Sequence, residues 1–217
     1  TLFRSVASAT EPWKFHEQAF GTGGAEMAVY DVNGDGKNDV VTALAAHGYG
    51  LAWFEQKRDT DGRIFFEQHQ IMGDLSDKNA GGVTFTEPHG ATSGDTDGDG
   101  FMDLLIGGYG ADPNGSSSGA AWVLQGPLQG SISLSSADAM IEGSSADDQL
   151  GKQVAMGDLD GDGYSDLVVG APLEDSAGSD GGIAYVLTSV QSGEAAVLAS
   201  ATLEALGASD RFGDALA

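Results

Sequence analysis

Three nine-residue stretches carry the chemistry that the residue types point to: Asp31–Asp39 (DVNGDGKND), Asp95–Asp103 (DTDGDGFMD) and Asp158–Asp166 (DLDGDGYSD). Each sets oxygen-bearing side chains at positions 1, 3, 5 and 9 and a glycine at position 6. So many carboxylates at such spacing repel one another and oppose folding. A hard divalent cation removes the conflict. Ca²⁺ accepts about six to eight oxygen ligands at about 2.3–2.6 Å in forgiving geometry, so the side chains of one tight loop can converge on it. The expected side-chain ligands are Asp31, Asn33, Asp35 and Asp39 in the first loop, and Asp95, Asp97, Asp99 and Asp103 in the second. In the third they are Asp158, Asp160, Asp162 and Asp166. Position 7 adds a backbone carbonyl from Lys37, Phe101 or Tyr164, and the turn falls on Gly36, Gly100 and Gly163. The expectation is three Ca²⁺ sites, the first weakened by the uncharged Asn33.

Of two rival readings of the loops, one fails on its own chemistry and the other, Mg²⁺, is the poorer fit. The helix–loop–helix calcium hand needs a bidentate Glu at position 12, where this chain has Thr42, Ile106 and Val169 inside apolar runs. Mg²⁺ prefers to keep several waters rather than enter a multi-carboxylate cage.

The charge balance agrees with a cation partner. Asp and Glu number 33 against 9 Lys and Arg, for a formal net charge of -24. Such a surface repels nucleic acid and anionic membranes. No apolar run approaches the roughly 18 residues of a membrane span, so no membrane insertion is expected. The absence of cysteine removes disulfides and thiolate metal sites. The first residue is Thr and no basic segment precedes an apolar core, which reads as a mature or excised segment.

The elements that position the loops repeat with them. The loops start 64 and 63 residues apart, and each is followed by an apolar run: VVTALA from Val40, LLIGG from Leu104, LVVGAP from Leu167. A second apolar segment follows in each unit: GLAWFE, GAAWVL and GIAYVL, placing Trp53, Trp122 and Tyr185 at matching positions. AMIEGSSADDQLG, ending at Gly151, aligns with ATLEALGASDRFG, ending at Gly213, so a fourth loop is expected near position 220. The runs are short, rich in Val, Ile, Leu and aromatics, and bounded by Gly, Asp and Ser, which predicts strands. A unit of about 63 residues holds roughly four short strands, the content of one propeller blade. The fold class expected is all-β: a single β-propeller over 1–217 with four-stranded blades of about 60 residues. Its units run roughly 24–87, 88–150 and 151–212, with a fourth beginning at 213–217, about three and a half blades in all.

GDLDGDGYSDLVVGAP at Gly157–Pro172, with QLGKQVA at Gln149–Ala155 and RFGDALA at Arg211–Ala217, resembles the FG-GAP repeat of integrin α-subunit propellers and their bacterial relatives. Leu150-Gly151 and Phe212-Gly213 fill the FG position, and Gly24 fills it for the first unit. The first unit lacks GAP, is five residues shorter between loop and second strand, and looks more like the VCBS-type repeats of secreted bacterial proteins. The resemblance implies a seven-bladed propeller in which each loop holds Ca²⁺ between the strands of a blade.

The function expected is a calcium-binding extracellular module for adhesion or for protein or glycan binding, secreted or on the cell surface, with Ca²⁺ in a structural role and no catalytic residues. The alternatives are the propeller of a secreted polysaccharide-active enzyme and a structural subunit of a surface assembly. Exposed strand edges make a homo-oligomer, or membership of a longer chain, the expected state. Gly115–Gly119 (GSSSG) fits G-x-S-x-G but sits in a small-residue insertion, which favours a loop over a nucleophile elbow. His16, His47, His69 and His89 share no ligand spacing; His47 and His89 lie near loop positions and are the two to follow.

Overall fold

The computed structural model describes residues 18, 20, 26–45, 48–73, 85–176, 178–188, 201–204 and 207–215. His16, His47, Trp13 and Gly24 lie outside the described residues. Three four-stranded antiparallel sheets follow one another along the chain, each a simple meander. The first comprises β1 (Met27–Tyr30), β2 (Asp39–Ala43), β3 (Leu51–Arg58) and β4 (Ile64–Met72). The second comprises β5 (Gly90–Gly94), β6 (Asp103–Gly108), β7 (Ala120–Leu124) and β8 (Ala139–Glu142). The third comprises β9 (Val154–Gly157), β10 (Asp166–Ala171), β11 (Ile183–Leu187) and β12 (Ala201–Glu204). Only a short 3-10 turn at Leu134–Ser136 interrupts the all-β character of the described residues.

Each acidic loop joins the first and second strands of its sheet, so Asp39, Asp103 and Asp166 open β2, β6 and β10. Those second strands are covered on both faces, which is why their sequences are apolar at consecutive positions. β2 and β6 are buried at every residue, and β10 at all but Val168. The sheets stack face to face. Val41, Leu51 and Trp53 of the first meet Leu104, Ile106 and Trp122 of the second in one core. Leu105, Val123 and Ile141 of the second meet Leu167, Val169 and Leu187 of the third in another. β1 touches β5, and β5 touches β9, so the first strands share one side of the stack. The result is an open partial propeller of three blades rather than a closed ring.

Register corrects one sequence expectation. Val40 pairs with Phe54, and Leu104 pairs with Leu124, so Trp53 corresponds to Val123 rather than to Trp122. A shift of one residue turns a side chain to the opposite face. Trp53 therefore points forward to the second sheet while Trp122 points back to the first, and both enter the same core. Phe85 stacks on Trp122 at 4.7 Å with an interplanar angle of 2°, and Trp53 Nε1 donates to the Gly130 carbonyl at 2.9 Å.

Candidate metal sites

Each loop is first a scaffold of carboxylates capping backbone amides. In the third loop, the Asp158 oxygens accept from Gly161 N (2.7 Å) and Gly163 N (3.1 Å). Asp160 accepts from Asp162 N at 3.1 Å, and Asp162 from Tyr164 N at 2.8 Å. The second loop repeats the pattern from Asp95, Asp97 and Asp99 with the same amide spacing. In the first, Asp31 accepts from Gly34 N, Asp35 N and Gly36 N, while Asn33 and Asp35 cap the amides two residues on. The chain turns left-handed twice per loop. Gly36, Gly100 and Gly163 have φ of 83°, 88° and 95°, as position 6 requires. Position 4 does the same at Gly34, Gly98 and Gly161, with φ of 76°, 79° and 83°.

The three loops differ in which oxygens they gather. Asp95, Asp97 and Asp99 bring carboxylate oxygens within 4.8 Å of one another, and so do Asp158, Asp160 and Asp166. Position 9 thus joins the group only in the third loop, and the reason lies in its hydrogen bonds. Asp39 spends one oxygen on Val32 N (3.1 Å) and the other on Gln56 N (2.7 Å). Asp103 likewise accepts from Thr96 N (2.8 Å), the Thr96 hydroxyl and Gly126 N (2.8 Å). Asp166 accepts from Leu159 N and Asp160 N through Oδ2 alone, and its buried Oδ1 has no partner among the described residues; position 189, which corresponds to Gln56 and Gly126, lies outside them. Burial pushes the Asp39 and Asp103 carboxyls above the ordinary carboxylate range, with those amide bonds pulling the other way. In the first loop the Lys37 ammonium pairs with Asp35 and holds its carboxyl below the ordinary range.

An unsatisfied buried carboxylate oxygen costs roughly 1–3 kcal/mol or more. Asp166, with one oxygen unpartnered among the described residues and its carboxylate grouped with those of Asp158 and Asp160, is therefore part of a donor set that fits a hard cation. The first loop fits one less well, with an amide at Asn33 and an ammonium already on Asp35.

Consecutive loops also touch. The Tyr164 ring lies over Gly98, and the Phe101 ring over Gly34, where a Cβ would stand 2.6 Å from Phe101 Cε1. Ser165 N donates to the Asp95 carbonyl at 2.7 Å. Position 7 of one loop is therefore packed on position 4 of the loop before it.

A third acidic group was not evident in the sequence. Glu55, Glu67 and His69 meet because β3 and β4 pair Glu55 with Glu67 and Trp53 with His69. Alternate residues across the hairpin were the available signal, but it needs the register. His69 Nε2 lies 2.8 Å from Glu55, Trp53 stacks on the imidazole at 4.3 Å, and Lys57 pairs with both glutamates. A resident ammonium satisfies this group. At the end of the strands away from the acidic loops, His89 meets the Tyr109 ring edge-on at 5.5 Å, and Tyr109 donates to Glu87. In Gly115–Gly119 the Ser118 side chain is buried and its Oγ accepts from Asn114 N at 3.1 Å. The segment leads into β7 rather than a helix, so the elbow geometry is not formed.

With blades and loops in place, comparison with known families agrees with the architecture. Residues 150–187 match the FG-GAP repeat, and residues 31–106 match an FG-GAP-like repeat. The chain is built from FG-GAP-type repeats. A search of curated proteins gave no match.

Proposed function

We propose that this is a calcium-stabilised propeller module that acts outside the cell by binding a protein or glycan, with Ca²⁺ holding the blades rather than taking part in a reaction. The observation that carries the reading is Asp166. Its carboxylate groups with those of Asp158 and Asp160, and one of its oxygens is buried with no partner among the described residues, so one divalent ion would engage all three side chains. The acidic balance of the chain favours cations generally. Extracellular calcium modules bind at roughly 10⁻⁴–10⁻³ M, a range that fills such sites outside the cell and empties them in the cytosol. Among the described residues no helix is long and apolar enough to cross a membrane. The ligand surface in this proposal is the strand end carrying Glu87, His89 and Tyr109, away from the carboxylate loops.

Calorimetric titration with CaCl₂ tests the reading. Two stronger sites and one weaker site are expected, with Asp158→Asn removing one of the stronger and Asn33→Asp strengthening the weaker. No heat of binding at millimolar Ca²⁺ would overturn it.

A further inference from the structure

The β3–β4 hairpin gathers a nitrogen and two carboxylates at a place that the other blades do not reproduce. Residues directly opposite across a hairpin share a face, as do residues two apart. The pairs Trp53–His69 and Glu55–Glu67 therefore set all four side chains on one face of the first sheet. By register, the positions matching Glu55 are Gln125 in the second sheet and Thr188 in the third, so this carboxylate is no part of the repeat. Ligand atoms of Glu55, Glu67 and His69 lie within 4.8 Å of one another, within reach of a single small ion.

The imidazole is held in place. Its Nε2 lies 2.8 Å from Glu55 Oε2, and Trp53, itself fixed by its Nε1 bond to the Gly130 carbonyl, stacks on the ring. The next residue along β4 is tied to the second sheet on both sides of its Cα. Gln70 N donates to Ser131 Oγ at 3.1 Å, and the Gln70 carbonyl accepts from Ile132 N at 2.9 Å. A locked ring on a locked strand is the support that a metal ligand needs.

The Lys57 ammonium marks where a cation sits. It pairs with Glu67 and lies 3.1 Å from Glu55 Oε2, but its side chain is 36% exposed on a flexible stem that can swing into solvent. The ammonium draws on the two carboxylates, whereas a borderline metal ion draws on the imidazole as well. We propose that Glu55, Glu67 and His69 form a Zn²⁺ site, with Lys57 the built-in competitor that the metal displaces. One imidazole nitrogen and two carboxylate oxygens are ligands that Zn²⁺ takes at about 2.0–2.2 Å, with water free to fill the fourth position. Once Lys57 leaves, the two carboxylates balance the charge of the ion. The nitrogen also sets this site apart from the all-oxygen loops, whose ligand type suits Ca²⁺. The site is separate from those loops and does not depend on their binding a cation.

Calorimetric titration of the full chain with ZnCl₂, in a background of 10 mM CaCl₂, tests the proposal. Tryptophan emission serves as a second readout because Trp53 stacks on the ligating ring. One saturable Zn²⁺ site is expected, accompanied by a change in emission. Lys57→Met should tighten binding by about tenfold, and His69→Gln should weaken it by about tenfold or more. Because His69→Gln also disturbs the Trp53 stack, Glu67→Gln repeats the test at a side chain that is 51% exposed, and it should weaken binding while leaving the melting midpoint close to that of the parent. No Zn²⁺ binding in either the parent or Lys57→Met overturns the proposal. So does binding that survives both His69→Gln and Glu67→Gln, since the metal would then sit elsewhere. A Lys57→Met chain that binds no more tightly than the parent also contradicts it, because the ammonium would not then stand in the metal's place.

Discussion

The Tyr164 ring rests on the backbone of Gly98, so that a β-carbon at 98 would overlap the ring. Tyr164 is position 7 of the third acidic loop and Gly98 is position 4 of the second. The contact, with the Ser165 N bond to the Asp95 carbonyl, ties the shape of one loop to that of its neighbour.

Substituting the position-4 glycines separates backbone strain from this contact. Gly98 and Gly161 share a left-handed φ, of 79° and 83°, but Gly161 has nothing within 4 Å of a built Cβ. Gly161→Ala should cost about 1–2 kcal/mol for the left-handed residue alone. Gly98→Ala should cost more, and adding Tyr164→Ala should bring the two into line in urea unfolding. Equal costs in the Tyr164 background would show that the ring contact contributes nothing.

Tyr30 carries a buried hydroxyl with no partner among the described residues at 6% exposure, and burial, followed by Asp103 and Asp39, pushes its pKa up. Tyr30→Phe keeps the ring and removes the unsatisfied group. Stability is expected to hold or to rise by about 1 kcal/mol. A loss of more than that in chemical denaturation would mean that the hydroxyl has a bonded role.

Position 9 should respond to calcium differently in different loops. Asp39 uses both oxygens on backbone amides, so Asp39→Asn should cost about 1–3 kcal/mol with or without Ca²⁺. Asp166→Asn removes a charge whose Oδ1 is buried and has no partner among the described residues. Its melting point in chelator should equal or exceed that of the parent, and in millimolar Ca²⁺ it should fall below. Parallel losses in both conditions would argue against a cation at Asp166.

Alkaline stability should register Tyr109. Burial, followed by its hydrogen bond to Glu87, raises this phenol to about 12. A folded-state value above the ordinary value of about 10 means stability fully present below pH 10 and lost as the pH rises toward 12. Tyr109→Phe should therefore lower the urea midpoint at pH 9 and narrow the drop between pH 9 and pH 11. An unchanged drop would remove the Glu87 bond from the account.

The parts of this fold that repeat were legible in the residues, because a loop that must turn at Gly100 and anchor a strand at Asp103 writes both needs into nine positions. The consecutive apolar residues of β6 likewise announced burial on both faces. What depended on register was not legible. Trp53 and Trp122 align by eye in two similar segments, yet one residue of offset sends them to opposite faces of their sheets. Gly98 reads as turn punctuation until the Tyr164 ring is seen above it, a contact across some 66 residues of chain. The unpartnered oxygen of Asp166 was invisible for the same reason, since its counterparts are satisfied by Gln56 N, within β3, and Gly126 N, just past β7, which only the folded sheet brings alongside. Glu55, Glu67 and His69 meet through strand pairing rather than through any motif.

The central claim is that calcium holds these blades together, and thermal unfolding against free Ca²⁺ tests it most directly. Ions that bind only the native state stabilise by RT ln(1 + [Ca²⁺]/Kd) per site. The midpoint should climb steadily from chelator to 10 mM CaCl₂, by several degrees, and much less in MgCl₂ at the same ionic strength. Identical midpoints in chelator and in 10 mM CaCl₂ would contradict it.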